Sequence, residues 1–284
     1  MNLLSAVNGY YSGYGRGYGW GFDPTYLLAI LGLVLTLIAS ARVKGTFNKY
    51  AKVRSVTGLT GAQAAERVLH CCGIYNVAIE HISGVLTDHY DPRSKTLRLS
   101  DSTYSSNSVA AICVAAHECG HAVQDQEQYG PLVLRSTLVP AANIGSRLSW
   151  PIFIAGLAFS LRPLLMGGIV LFLLAVLFQL ITLPVEFNAS SRALKILGQN
   201  HIIPESELRG GRKVLQAAAM TYVAALASSL LQLLRLIILA RGRNRDSFGK
   251  YQRDYPWHSD GDYRGGGLQP YCDPQCAGKI PIPG

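Results

Sequence analysis

Apolar runs and their interruptions divide the chain into four stretches long enough to be buried in lipid, around one polar region. An uncharged apolar segment runs from Pro24 to Ala41, at the short limit of about 17 residues for a spanning helix. Its end, Ala39-Ser40-Ala41, mimics a signal-peptidase site. The positive charges, however, follow the segment (Arg42, Lys44, Lys49, Lys52, Arg54) instead of preceding it, the reverse of a secretory signal. Residues 23–41 therefore read as an uncleaved transmembrane anchor with residue 42 onward in the cytoplasm. Residues 42–137 are polar enough for a cytoplasmic lobe. Thr60-Gly61-Ala62-Gln63 opens an amphipathic helix that stops near Cys72-Gly73. Val77 to Ile82 and Lys95 to Leu99 have the pattern of short strands on either side of a turn at Asp88-His89-Tyr90-Asp91-Pro92. Lys95 to Leu99 is a candidate edge strand for pairing with an extended substrate. A further helix starts after Asn107 or Ser108, both good caps, and runs to about Gln126.

Residues 138–183 read as a transmembrane helical hairpin. Its first arm starts near Leu138, Arg162-Pro163 breaks the pattern, and Leu164 to Leu183 supplies an uncharged second arm. Residues 184–213 return to the cytoplasm, where Arg192, Lys195, Arg209, Arg212 and Lys213 agree with the positive-inside bias. Residues 214–240 form a fourth membrane helix. It puts Arg241, Arg243 and Arg245 outside, against that bias, so either the charges are tolerated late in the chain or the segment bends without crossing. The Tyr/Gly-rich residues 1–22 and the tail 241–284 have no apolar period and are expected to be disordered. The fold class expected is a mainly α integral membrane protein of about four transmembrane helices, with a small cytoplasmic α+β zincin-like lobe.

Composition agrees. Of 284 residues only 15% are charged, well under the roughly 25% of soluble domains. The 26 basic residues against 17 acidic ones give a net charge of +9. They cluster beside apolar runs, which favours a lipid bilayer over nucleic acid as the partner. Cys71, Cys72, Cys113 and Cys119 fall in segments of helical pattern, where Cys commonly packs as a small hydrophobe. Cys272 and Cys276 form a lone C-x-x-x-C in the tail, a weak metal or disulfide signal.

The chemistry concentrates in His117-Glu118-Cys119-Gly120-His121. Four residues turn a helix by about 400°, so both imidazoles leave one face a turn apart and can share a metal ion. Glu118 is rotated about 100° from His117, adjacent to the metal without being forced to ligate it, as suits a general base. The run Val114-Ala115-Ala116 argues for a buried helix whose polar stripe is the His/Glu face. Catalytic zinc takes three protein ligands. Glu186 lies 65 residues beyond His121, just past the third span; a carboxylate there serves equally as a solvated helix end, and spacing alone does not choose. The following residues favour ligation: Glu186-Phe187-Asn188-Ala189-Ser190-Ser191-Arg192-Ala193 has Ala where close packing on the His helix needs it. Ser190, on the Glu186 face, can orient a ligand His. Cys119 points off the ligand face.

A His-Glu-x-x-His motif with a distant E-x-x-A-[DS]-x-x-A resembles the gluzincin peptidases. The surrounding text is similar to one membrane group, the YugP-like neutral zinc metallopeptidases. The matching stretches include Phe22-Asp23-Pro24-Thr25-Tyr26, Gly58-Leu59-Thr60-Gly61-Ala62, Leu86-Thr87-Asp88-His89-Tyr90-Asp91-Pro92, Val139-Pro140-Ala141-Ala142-Asn143, Leu183-Pro184-Val185-Glu186-Phe187 and Thr221-Tyr222-Val223-Ala224-Ala225. The resemblance implies a membrane-embedded zinc endopeptidase with one Zn2+ held by His117, His121 and Glu186, and Glu118 as the base. Ser190 departs from the Asp common in the wider group. His89, Tyr222 and Arg212 are candidate donors to a developing oxyanion. The expected protein is multi-pass in the plasma or inner membrane, works from the cytoplasmic side, and cleaves membrane or membrane-adjacent polypeptides. The alternative is a non-proteolytic membrane scaffold with a structural or vestigial metal site.

Overall fold

The computed structural model describes residues 23–254, with side chains as far as Arg241. The expectations for residues 1–22 and for Cys272 and Cys276 lie outside the described residues. Helix α1 (Tyr26–Ala51) contains the first apolar segment and continues through the basic residues after it. Helix α2 (Gly61–Cys71) begins as its sequence requires. Thr60 Oγ1 accepts from the Gln63 N–H and Gln63 Oε1 accepts from the Thr60 N–H, a reciprocal cap. Gly73 at φ +71° ends the turn.

Strands β1 (Ala78–Ile82), β2 (His89–Asp91) and β3 (Thr96–Ser100) form a sheet in the order β1-β3-β2, with β1 parallel and β2 antiparallel to β3. Two expectations are corrected here. His89-Tyr90-Asp91 is a strand as well as the approach to a turn. Thr96–Ser100 is the central strand, not an edge. Its backbone is engaged on both sides, so it has no row of free groups to offer a substrate. The alternation of β3 explains its choice for the centre: Leu97 and Leu99 are fully buried while Arg98 faces outward to Glu80 and Asp91.

Helix α3 (Val109–Gln126) starts at Ser108, whose hydroxyl accepts from the Ala111 N–H. It packs through Ile112, Ala116 and Cys119 against Ala65 and Val68 of α2 and the two sheet leucines, the core of the lobe. Cys113 and Cys119 are buried in it as expected, whereas Cys71 is exposed.

Helices α4 (Gly130–Ala158) and α5 (Arg162–Gln199) form a helical hairpin, with Pro163 in the first turn of α5. The first arm begins at Gly130, earlier than Leu138, with Pro131 in its first turn and Arg135 within the helix. Among the described residues three helices are long and apolar enough to cross a membrane: α1, α5 and α6 (Glu205–Asp254). Helix α4, with Arg135, Arg147 and two interior prolines, is not one of them. Residues 184–199 continue α5, which passes through Pro184 without ending and carries Glu186 on the continuation of its apolar run, and a short turn then leads into α6. Helix α6 also runs past Asp246, where the sequence reads as tail.

Helices α1 and α6 pack antiparallel in one constant register. Gly32 faces Ser228, Tyr50 lies on Gly210, and Thr25 accepts from Arg235 Nε, the residue numbers of each pair reaching the same total. A Cβ at Gly32 or Gly210 would meet the neighbour at 2.6 or 2.7 Å, so glycine permits this closeness. Arg235, in the apolar part of α6, sits 4.3 Å over the Tyr26 ring at the start of α1. Its charge is thus held by an aromatic face and a hydroxyl at one end of the pair, while Arg42, Lys49 and Lys213 gather at the other end around a common cleft.

Candidate metal centre

His117 and His121 leave α3 one turn apart, with ring centroids 4.9 Å apart and planes at 82°. Helix α5 crosses that face at close range, because the residue of α3 between them at the crossing is Gly120. A Cβ there would stand 2.6 Å from the Ala189 carbonyl oxygen. Ala189 and Ala193 are fully buried in the same contact, so the small residues of α5 pack as their spacing implied. Glu186, one turn before Ala189 and Ser190, is 2% exposed. Its Oε2 lies 3.3 Å from His117 Nε2 and 3.6 Å from His121 Nε2. The other oxygen, Oε1, faces Arg135 at 3.5 Å.

A metal ion fits this arrangement on three observations. One donor atom from each of His117, His121 and Glu186 lies within 4.8 Å of the others. Glu186 Oε2 is buried and has no hydrogen-bond partner, and a buried carboxylate oxygen is stabilised by a positive partner, which a metal ion shared with the two imidazoles would supply. Two imidazoles and one carboxylate oxygen are also a donor set suited to zinc, with a position left for water. The remote nitrogens are held: His117 Nδ1 lies 3.1 Å from Ser190 Oγ, and His121 Nδ1 lies 3.0 Å from Gln124 Oε1. Cys119 turns away, its thiol directed to the Ala65 carbonyl; burial holds that thiol well above its usual range.

Glu118 is partly buried beside the pair. Burial raises its carboxyl above the usual value; His117 and His121 pull it down, and Glu186 and Asp88 push it up, with a net rise. Burial lowers His121, but the Glu186 contact and the Glu118 charge outweigh it, and the imidazole is raised. Of the three oxyanion candidates, Tyr222 lies within reach of the charges of Glu186, Glu118 and Arg135. His89 bonds the Thr87 carbonyl instead. Arg212 lines a neighbouring cleft with Ser190 and Phe187. Neither His89 nor Arg212 is among the partners described for His117, His121 or Glu186. Three residues at the site were missed from sequence. Gln124, three residues after His121, shares its helix face and was open to a spacing argument. Asn188 and Arg135 carry no such signal, because each acts across a helix pair.

The sequence profile of the family described as "Putative neutral zinc metallopeptidase" matches residues 25–241. A curated relative, "Putative membrane protease YugP" of Bacillus subtilis (strain 168), is 48% identical over 220 residues, covering 77% of this chain and 98% of the relative. No solved structure matches.

Proposed function

This chain belongs to the family described as "Putative neutral zinc metallopeptidase", and on that premise we propose that it is an integral membrane zinc endopeptidase of gluzincin type. Its substrates are membrane or membrane-adjacent polypeptides. The observation that carries the reading is the convergence of His117 Nε2, His121 Nε2 and Glu186 Oε2, with Glu118 beside them on the same turn of α3. One zinc ion held by these three residues would supply Lewis acidity, polarising the scissile carbonyl and bringing the pKa of the attacking water down towards about 7.

The chain's own residues do the rest. Arg135 occupies Glu186 Oε1 and leaves Oε2 to face the imidazoles. Ser190 and Gln124 fix the two rings from behind. Glu118 takes the proton of the attacking water and delivers it to the leaving amine. Tyr222, whose hydroxyl feels the charges of Glu186 and Glu118, would donate to a developing oxyanion.

A cytoplasmic site in the plasma or inner membrane is supported by the charges. Phe187, next to Glu186, lines one cleft with Arg42, Lys49 and Lys213, so the site lies level with the basic end of α1 and α6, the end that faces the cytoplasm by the positive-inside bias. The test is Glu118→Gln in full-length protein. It should keep its zinc and lose roughly 10²- to 10⁴-fold in cleavage of an unfolded membrane polypeptide. Cleavage equal to wild type removes the general base from the scheme, and a wild type that cleaves equally after chelation removes zinc from it. A scaffold would lose nothing in either case.

A further inference from the structure

Gln124 is fully buried between α3 and α5, and its hydrogen bonds leave no freedom in how it is oriented. Its amide nitrogen lies 2.9 Å from the Val185 carbonyl and 2.9 Å from Asn188 Oδ1. A backbone carbonyl only accepts, so the amide end facing it must be the NH2. Asn188 is fixed in turn from further out. Arg192 Nε lies 2.6 Å from Asn188 Oδ1, and a guanidinium has donors and no acceptor. Arg192 therefore sets Asn188, and Asn188 with Val185 sets Gln124. That leaves Gln124 Oε1, an acceptor with no hydrogen, against His121 Nδ1 at 3.0 Å. Gln124 Oε1 at 3.0 Å outweighs the pull of Glu186 Oε2, which stands 3.6 Å from Nε2, and the neutral imidazole carries its proton on Nδ1. Its lone pair is then on Nε2, the nitrogen directed at Glu186. Ser190 imposes no such choice on His117, because a hydroxyl can donate or accept.

We propose that Gln124, oriented by Asn188 and Arg192, is a positioning residue that sets the Nδ1–H tautomer of His121 in the metal-free protein and keeps Nε2 open for a ligand bond. The proposal rests on the reading of His121 and Glu186 as metal ligands. The same bonds register the two helices. Val185 and Asn188 stand on either side of Glu186 along α5, so the side chain that orients the α3 ligand also grips the α5 backbone next to the other ligand. Arg192 closes a second link by pairing with Glu127, at the end of α3, at 2.6 Å. The opposite tautomer would place a proton on the metal-facing nitrogen and set two acceptors, Nδ1 and Oε1, against each other in a buried site.

The test uses full-length protein in detergent micelles, freed of metal, with 15N-labelled histidine, at alkaline pH where both imidazoles are neutral. NMR of the wild type is expected to show His121 with a protonated Nδ1 and a bare Nε2, assigned by the signal that His121→Asn removes. In Gln124→Met the proton should move toward Nε2 and zinc affinity should fall about 10- to 100-fold, with the His117 signals unchanged. A wild-type His121 protonated on Nε2 overturns the proposal without any variant. So does a folded Gln124→Met that keeps the tautomer and binds zinc within about twofold of wild type. Because the tautomer is read without metal or substrate, an Nδ1–H form in a protein that cleaves nothing leaves this proposal standing and ends the peptidase reading; cleavage alongside an Nε2–H form does the reverse.

Discussion

Adding one methyl group at Gly120 separates the packing of α3 on α5 from the chemistry of the side chains they carry. In Gly120→Ala the new Cβ falls 2.6 Å from the Ala189 oxygen and 3.1 and 3.2 Å from its carbonyl carbon and Cα. Ordinary van der Waals contact begins at 3.4 Å, so the helices must separate by about 0.8 Å at this point. Overpacking of this kind costs about 1–3 kcal/mol in stability. The effect on metal binding should be larger in relative terms. Ligand distances tolerate about 0.2 Å, and Glu186 lies one turn from Ala189 on the same rigid helix, so the displacement carries its carboxylate away from the imidazoles. Gly120→Ala should therefore fold, unfold a few degrees earlier than wild type in the metal-free state, and bind zinc at least tenfold more weakly. The assay pairs thermal unfolding of metal-free protein in micelles with zinc competition against a chromophoric chelator. Ala189→Gly should not rescue the variant, because the clash is with backbone and the Ala189 side chain takes no part. Wild-type zinc affinity in Gly120→Ala, or full rescue by Ala189→Gly, refutes the close-crossing argument.

Three further outcomes follow from the same geometry. Tyr222→Phe should keep zinc and its melting temperature but lose roughly 10²-fold in kcat with little change in KM, the mark of an interaction made in the transition state; an unchanged kcat assigns the oxyanion to another donor. Glu207, 9% exposed, accepts from the Ser55 hydroxyl at 2.6 Å and the Val56 N–H at 2.8 Å, tying the α1–α2 connection to the start of α6. Glu207→Ala strands both donors and should destabilise the metal-free protein by about 1–3 kcal/mol in chemical denaturation, with no loss expected if water replaces the carboxylate. The Gly84 N–H and His81 hold Asp101 below the usual carboxylate value, and the Ser94 hydroxyl and Arg93 N–H do the same for Asp91. Both folded-state values lie under the unfolded ones, so this stabilisation is complete above roughly pH 4 and lost as the pH falls through the folded values. The denaturation midpoint should drop on that descent, and Asp101→Asn should flatten the drop.

Periodicity made the helices legible, since a 3.6-residue repeat, a Thr60/Gln63 box and a Ser108 cap are local facts that tertiary contacts did not override. The His117/His121 pair was legible for the same reason: its geometry is a property of one helix. The order of the sheet was not. His89-Tyr90-Asp91 is three residues beside a turn, too short for an alternation to register, and it takes strand form because β3 offers it a partner. The eclipse of Lys95 to Leu99 as an edge follows directly, since an edge is defined by what pairs beyond it. Arg235 went unremarked in an apolar run, and only the register of α1 against α6 shows it standing over Tyr26 at the end of the pair.

Glu186 belongs to a third class, in which sequence offers a residue of the right type and the fold supplies the distance. The apolar cluster that α3 and α5 share draws the two helices together without fixing how close they come, so small residues and buried polar bonds must set their separation. At this crossing Gly120, Ala189 and Ala193 allow the approach, while the Gln124 amide and the Glu127–Arg192 pair fix its register. A carboxylate on α5 and two imidazoles on α3 become one site only at that separation. The residues that set it need touch neither metal nor substrate, yet they decide whether the three donor atoms converge.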